Sequence, residues 1–368
     1  MAHPAGQTHG TWPAVGTGTA LALLSVLGCG TEGPITGTPR EAGGIQCVVS
    51  LSDIFDGGVG KDGIPALTNP AFVDPGDPTA DYITPTDRVI GLVTEGQAYA
   101  IPFNIMYFHE IVNLDLGGRL LAVTYCPLTG SSVVFDRSGI DGAEFGVSGL
   151  LFRNNLILYD RNTEESLWPQ LSLAAACGTR RGDILPLAPF LEAEWAGWLA
   201  IHPDTKILAR PTLLGRTYTG TPLAEYERID NPDIPVSVPL DPRRPPKERV
   251  IGTPTALDGG TAFPFLELSR KPAQAIPIRV PGADATLFWN TEAQGGAIYL
   301  NEVAGQSFTF RASGGDIFDN ETESRWGIDG QALDGAAAGT QLEAYSDAYT
   351  SFWFAWADFQ PETLVWTN

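Results

Sequence analysis

Rare residues in this chain recur at one fixed spacing, and that constrains its fold more than any other feature. Trp168, Trp195, Trp198, Pro203 and Thr205 each have a partner 158 residues on, in Trp326, Trp353, Trp356, Pro361 and Thr363. Asp160 and Thr163 match Asp319 and Thr322 at an offset of 159. Val89-Ile90-Gly91 returns as Val250-Ile251-Gly252, and Gly96-Gln97-Ala98-Tyr99 followed by Pro102-Phe103 returns within Gly260 to Phe265. Such spacing marks a tandem duplication. Two copies are too few for an open solenoid. The expected fold is therefore α+β: two diverged tandem units, each a mostly antiparallel sheet with a few helices, packed as a pseudo-symmetric pair.

The expected boundaries are a signal peptide over 1–28, a lipidated tether over 29–54 and a first unit over 55–230. A Pro-rich linker over 231–248 and a second unit over 249–368 follow. With 42 glycines and 29 prolines among 368 residues, short strands and many turns are favoured over a helical bundle. In the first unit, 87–93, 120–125, 131–137, 144–147 and 150–159 read as strands, and 99–113 and 190–202 as helices. Cys126-Pro127-Leu128-Thr129-Gly130 supplies turn chemistry between two of the strands.

A formal charge of −21 argues against nucleic acid or an anionic membrane face as an electrostatic partner. No Asp, Glu, Lys or Arg precedes Glu32, and the apolar run Thr19 to Gly28 has the length of a signal-peptide core, too short to span a bilayer. Val26-Leu27-Gly28-Cys29 resembles a bacterial lipobox. The expectation is an exported, membrane-anchored lipoprotein of the bacterial cell envelope, acylated at Cys29 and meeting the membrane only through that anchor. Cys47, Cys126 and Cys177 then remain, enough for one disulfide and one thiol in an oxidising compartment. Three pairings are open on sequence; Cys47 with Cys177 is expected, leaving Cys126.

The duplication also serves as an internal control. Positions kept in both copies are explained by the shared fold, whereas those confined to the first are better candidates for chemistry. They are His109-Glu110-Ile111-Val112-Asn113, Cys126-Pro127, Arg137, Ser148, Arg161 and Gln170; the second copy has no histidine or cysteine. His3 and His9 precede Cys29, so only His109 and His202 bear on the mature domain, too few for a three-His zinc site. His202 reads as a helix-terminal cap. His109 reads either as a satisfied core residue or as the partner of Cys126. A turn-borne thiol beside an imidazole makes a nucleophile–base pair, with Ser148 near the developing oxyanion. The same two groups with Met106 make a soft-ligand site for a metal such as copper. Arg137 and Arg161 read as anion holders or surface ion pairs, and Asn113 and Gln170 as orienting groups. Walker, dinucleotide, nucleophile-elbow and EF-hand spacings are absent from the sequence.

Several ordered blocks carry a resemblance. Gly58-Val59-Gly60-Lys61-Asp62-Gly63-Ile64-Pro65-Ala66, His109 to Asn113 and Thr124-Tyr125-Cys126-Pro127-Leu128 are the first three. Phe135-Asp136-Arg137, Phe145 to Leu151, Tyr159-Asp160-Arg161 and Ser166-Leu167-Trp168-Pro169-Gln170 complete them. Over roughly residues 55 to 365 the chain resembles the uncharacterised prokaryotic family numbered 3179 among domains of unknown function, which implies an identity without an activity. Members commonly carry a second cysteine where this chain has Thr129, so the resemblance implies a one-cysteine site here. The leading expectation is an envelope module binding a small molecule or soft metal ion in a Cys126/His109 cleft. A cysteine-nucleophile hydrolase or transferase and a structural envelope protein are the alternatives.

Overall fold

A computed structural model describes residues 46–162, 166–254 and 260–368. The signal segment and residues 29–45 of the expected tether, with Cys29, lie outside the described residues, as does Thr163, whereas residues 46–54 are part of the fold, Cys47 being bonded to Cys177 and Ile54 paired with Phe152. The described chain is mainly β. Among mostly antiparallel strands stand α1 (Phe103–His109), α2 (Trp195–Ile201), α3 (Phe265–Leu268) and α4 (Trp353–Phe359). No described helix is long and apolar enough to cross a membrane.

Each half of the chain supplies a hairpin and a three-stranded meander. The first hairpin is Arg88–Thr94 with Gln97–Pro102, and the first meander is Ile111–Leu116, Arg119–Cys126 and Ser131–Asp136. The second hairpin is Arg249–Thr253 with Thr261–Pro264, and the second meander is Ala273–Val280, Ala283–Asn290 and Gly295–Leu300. The halves exchange these parts. One eight-stranded sheet runs from the second meander through Leu191–Glu194 to the first hairpin, and the other from the first meander through Tyr349–Phe352 to the second hairpin. The joints are narrow: Glu192 pairs with Gly296 in one sheet, and Thr350 with Ser132 in the other. The two sheets thus join early and late parts of the sequence in space.

The recurring residues make recurring contacts. Trp198 Nε1 donates to Thr205 Oγ1 at 2.9 Å, and Trp356 Nε1 to Thr363 Oγ1 at 3.0 Å. Trp168 Nε1 donates to Asp160 Oδ2 at 3.0 Å, and Trp326 Nε1 to Asp319 Oδ2 at 2.9 Å. A buried indole needs an acceptor for its N–H, so tryptophan and acceptor are kept together. The two hairpin glycines have the same cause: a Cβ on Gly91 would lie 2.3 Å from the Trp198 ring, and one on Gly252 2.1 Å from Trp356. Only a hydrogen fits there.

Two helical expectations are corrected. Over 99–113 only Phe103–His109 is helix, between strands Gln97–Pro102 and Ile111–Leu116. The Gly117-Gly118 turn, both residues at positive φ, folds the second strand onto Arg119–Cys126 and draws it out of the helix. Over 190–202, Leu191–Glu194 is likewise strand and only Trp195–Ile201 is helix, because the strand closes the joint between halves. The strand expected over 150–159 is interrupted by a turn at Arg153-Asn154 into Phe145–Phe152 and Asn155–Asp160. Cys47 is bonded to Cys177, closing 130 residues of chain, and Cys126 is the free, buried thiol.

Strand parity divides the core at the first meander. Leu121, Val123 and Tyr125 pack with Phe103 and Met106, while Ala122 and Cys126 pack with Ile111, Phe145 and Trp168. Successive side chains of a strand face opposite sides of the sheet, so adjacent Tyr125 and Cys126 enter different cores.

Candidate functional site

His109 is fully buried at the end of α1. Its Nδ1 lies 2.7 Å from the Pro65 carbonyl, which can only accept, so Nδ1 carries the hydrogen. Nε2, 2.8 Å from the Tyr218 hydroxyl, then accepts. Burial also pushes the imidazole pKa down, keeping the ring neutral. Tyr218 and Met106 share the core that contains Tyr125, whereas Cys126 belongs to the opposite one. The thiol's hydrogen bond goes to Asn154 O at 3.8 Å. The structure therefore does not assemble the expected Cys126–His109 pair or the soft-ligand trio with Met106. Strand parity and the saturated imidazole are the reasons.

The remaining first-copy residues are tied to backbone or to one another. Arg137, 3 % exposed, donates to the carbonyls of Leu114, Leu121, Gly142 and Ala143. Asn113 bonds both the N–H and C=O of Phe145 and also donates to Leu67 O. Gln170 donates to Thr124 and Ser131 and accepts from Asn155 inside a buried polar knot. Ser148 donates to Ile157 O at 2.6 Å and accepts from Leu150 N. Only Arg161 grips a carboxylate, Asp62, in a half-exposed pair that lowers the Asp62 pKa despite the opposing cost of burial. His202 lies at the end of α2, as expected, with its N–H on Trp198 O and Nε2 3.5 Å from Asp329 Oδ2.

Glu110, part of the His109 to Asn113 block but given no role of its own by the sequence, stands apart. It ends α1 in the left-handed region at φ 55°, and its side chain has no hydrogen-bond partner among the described residues. Burial pushes its carboxyl up to about 8. The neighbouring Cys126 thiol is pushed up to about 11, first by burial and then by the Glu110 charge. Against these effects, the Thr129 hydroxyl and the N–H groups of Thr129 and Leu156 face the sulfur and favour its thiolate. The legible signal was an acid set between a helical residue and the apolar pair Ile111-Val112.

An irregular segment borders this pair. Tyr226 OH donates to Leu128 O, in the turn after Cys126, at 2.6 Å. Buried Lys247 reaches back to Tyr226 O at 2.6 Å, its ammonium pushed down to about 8 by burial. Among the described residues, no group of three or more His, Cys, Asp or Glu stands together. One sulfur beside one carboxyl does not fit copper, which calls for several soft donors. A cleft of about 20 Å³ at the joint of the two sheets, lined by Glu192, Ile251 and Tyr349 among others, has room for about one water. It is not a substrate pocket.

A family model described as protein of unknown function (DUF3179) matches residues 61–363. No curated protein and no solved structure matches the chain.

Proposed function

Because the chain belongs to the DUF3179 family of proteins of unknown function, no relative supplies its activity, and we propose one from its geometry. The protein is an exported envelope protein, tethered through Cys29, that binds a small thiol-reactive ligand at Cys126 with Glu110 as proton acceptor. The observation that carries this reading is that Cys126 is the free, buried thiol among the described residues and feels the Glu110 charge, burial raising the pKa of both groups. An unpartnered carboxyl at a partly buried position lowers stability, and perturbed ionisable pairs concentrate at functional sites. The other motif side chains are engaged in holding the fold.

As ligand binds, the S–H bond of Cys126 breaks, its proton passes to the Glu110 carboxylate, and the sulfur attacks an electrophilic sulfur of the ligand, whose bond to its leaving thiolate or sulfinate breaks as that group departs with the electron pair. At pH 7 that carboxylate is present in roughly one molecule in ten, a base poised near its working pH. The Thr129 donors support the sulfur while its charge develops. Export is supported by the Cys47–Cys177 disulfide, a bond that persists in oxidising compartments. The halves are further read as a diverged duplication packed as a pseudo-symmetric pair, the second serving as a structural partner. The matched Trp–Thr and Trp–Asp bonds support that reading. A purely structural envelope role is favoured by the backbone ties of Arg137, Asn113 and Ser148.

The test is the pH–rate profile of Cys126 with methyl methanethiosulfonate, which forms Cys126–S–S–CH3 and releases methanesulfinate. Wild type is expected to show an inflection near pH 8 that Glu110→Gln removes. Identical profiles for the two proteins would leave the structural role standing and end the thiol reading.

A further inference from the structure

We propose that residues 209–248 form a cover that lifts by local opening to admit ligand to Cys126. This deepens the thiol-centre reading and rests on it. No helix or strand occurs between Lys206–Leu208 and Arg249–Thr253. So long an irregular stretch in a compact protein is unusual, and such stretches commonly serve as lids.

The anchors of this segment converge on the elements around the thiol. Tyr218 OH meets His109 at the end of α1, and Glu227 Oε1 accepts from Tyr107 OH at 2.8 Å and Tyr125 OH at 2.7 Å. Tyr226 holds the turn that follows Cys126. Val236 bonds the Asn154 side chain through both its N–H and its C=O, at 2.7 and 2.8 Å, and the Asn154 carbonyl receives the thiol. Two of these anchors, at Leu128 and Asn154, hold groups beside Cys126, and those at Tyr107, Tyr125 and His109 hold the strap to the other face of the same sheet.

The ends of the strap are tied by backbone, Ala209 and Arg210 donating to Ala71 and Thr79 and the Pro246 and Glu248 carbonyls accepting from Phe354 and Trp353, whereas the stretch between them is held to the sheets by contacts that involve side chains. Leu223, Ile234 and Val238 pack only partly buried against the Cys126 core, and Leu213, Leu214 and Leu240 are exposed. A segment with few fully buried contacts opens at a lower free energy than the sheets it covers. The raised thiol pKa belongs to the covered state. Lifting the strap restores water to the sulfur and to Glu110, lowering the cost of the thiolate.

The experiment uses the full chain with its disulfide intact. Cys126 labelling by N-ethylmaleimide is measured for wild type, Glu227→Ala and Tyr226→Phe, alongside denaturant unfolding of each. Removing the doubly bonded Glu227 acceptor is expected to raise the labelling rate about ten- to a hundredfold, from hydrogen bonds of roughly 1.5–3 kcal/mol to a charged group. Tyr226→Phe, which deletes one hydroxyl, gives a smaller rise without loss of the fold. Amide exchange over 209–248 is expected to be faster than in either eight-stranded sheet. Labelling that is unchanged in both variants, or that rises only as global stability falls, overturns the cover. If rates depend on the anchors while Glu110→Gln leaves the pH profile unchanged, the cover stands and the acid–base reading fails. If the inflection near pH 8 depends on Glu110 but the anchors have no effect, the reverse holds.

Discussion

Arg249 donates to Glu192 at 2.6 Å, binding the second hairpin to a strand of the first half. The same carboxylate oxygen accepts from Arg88 Nη2 at 2.8 Å, and the other oxygen accepts from Ser132 at 3.0 Å. Each arginine also lies over a helix-initial ring, Arg88 over Phe103 and Arg249 over Phe265, 3.8 and 4.2 Å from the centroids. One carboxylate therefore gathers both hairpins and the first meander at the point where the halves meet.

Removing that carboxylate strands two arginines together in a partly buried site. Glu192→Ala is expected to cost about 3–5 kcal/mol, the range for breaking a buried ion pair from one side. Urea unfolding followed by tryptophan fluorescence measures it. A loss under about 1 kcal/mol would mean that solvent, rather than Glu192, compensates the arginines.

Glu110 gives the protein a weakness on the alkaline side. Its carboxyl rises to about 8 in the fold from an unfolded value near 4.3, so the folded state binds the proton more tightly. The resulting stabilisation is complete below about pH 4 and is lost as pH rises through 8. Glu110→Gln is therefore expected to be more stable than wild type by roughly 1–3 kcal/mol at pH 9, with a small difference near pH 5. His109 acts in the opposite sense: its lowered pKa makes stability fall as pH drops below its unfolded value. Denaturant midpoints across pH 5–9 check both signs.

The two Trp–Thr bonds are predicted to be energetically equivalent. Thr205→Val and Thr363→Val each leave a buried indole N–H without its acceptor, at a cost of about 1–3 kcal/mol. Thermal unfolding of the two variants should show losses that agree within about 0.5 kcal/mol and add in the double variant. A loss confined to one site would show that the second half no longer relies on the shared contact.

Much of the first-copy list was legible as residues but not as roles. Cys126, Arg137, Asn113 and Gln170 were identified from their absence in the second copy, and all four are buried. Their partners, mostly backbone groups on other strands, could not be read from spacing. Cys126 and His109 were expected to meet because helix and strand end near one another in sequence. The pleat instead turned the thiol to the face opposite Tyr125. Glu110 lay within the His109 to Asn113 block, but only its surroundings made it unusual.

Sequence alone marked the recurring contacts, because their signals are local: an indole with an acceptor 7 or 8 residues away, and a glycine beneath a ring. It also indicated the Cys47–Cys177 bond, since few cysteines leave few choices. Tertiary structure alone decided that the halves exchange meanders, that Leu191–Glu194 is a strand, and that Tyr226, Ile234 and Val238 pack against the core holding Cys126. Those outcomes depend on pairings and packing between residues far apart in the chain, and local pattern does not encode which distant edge or face is met.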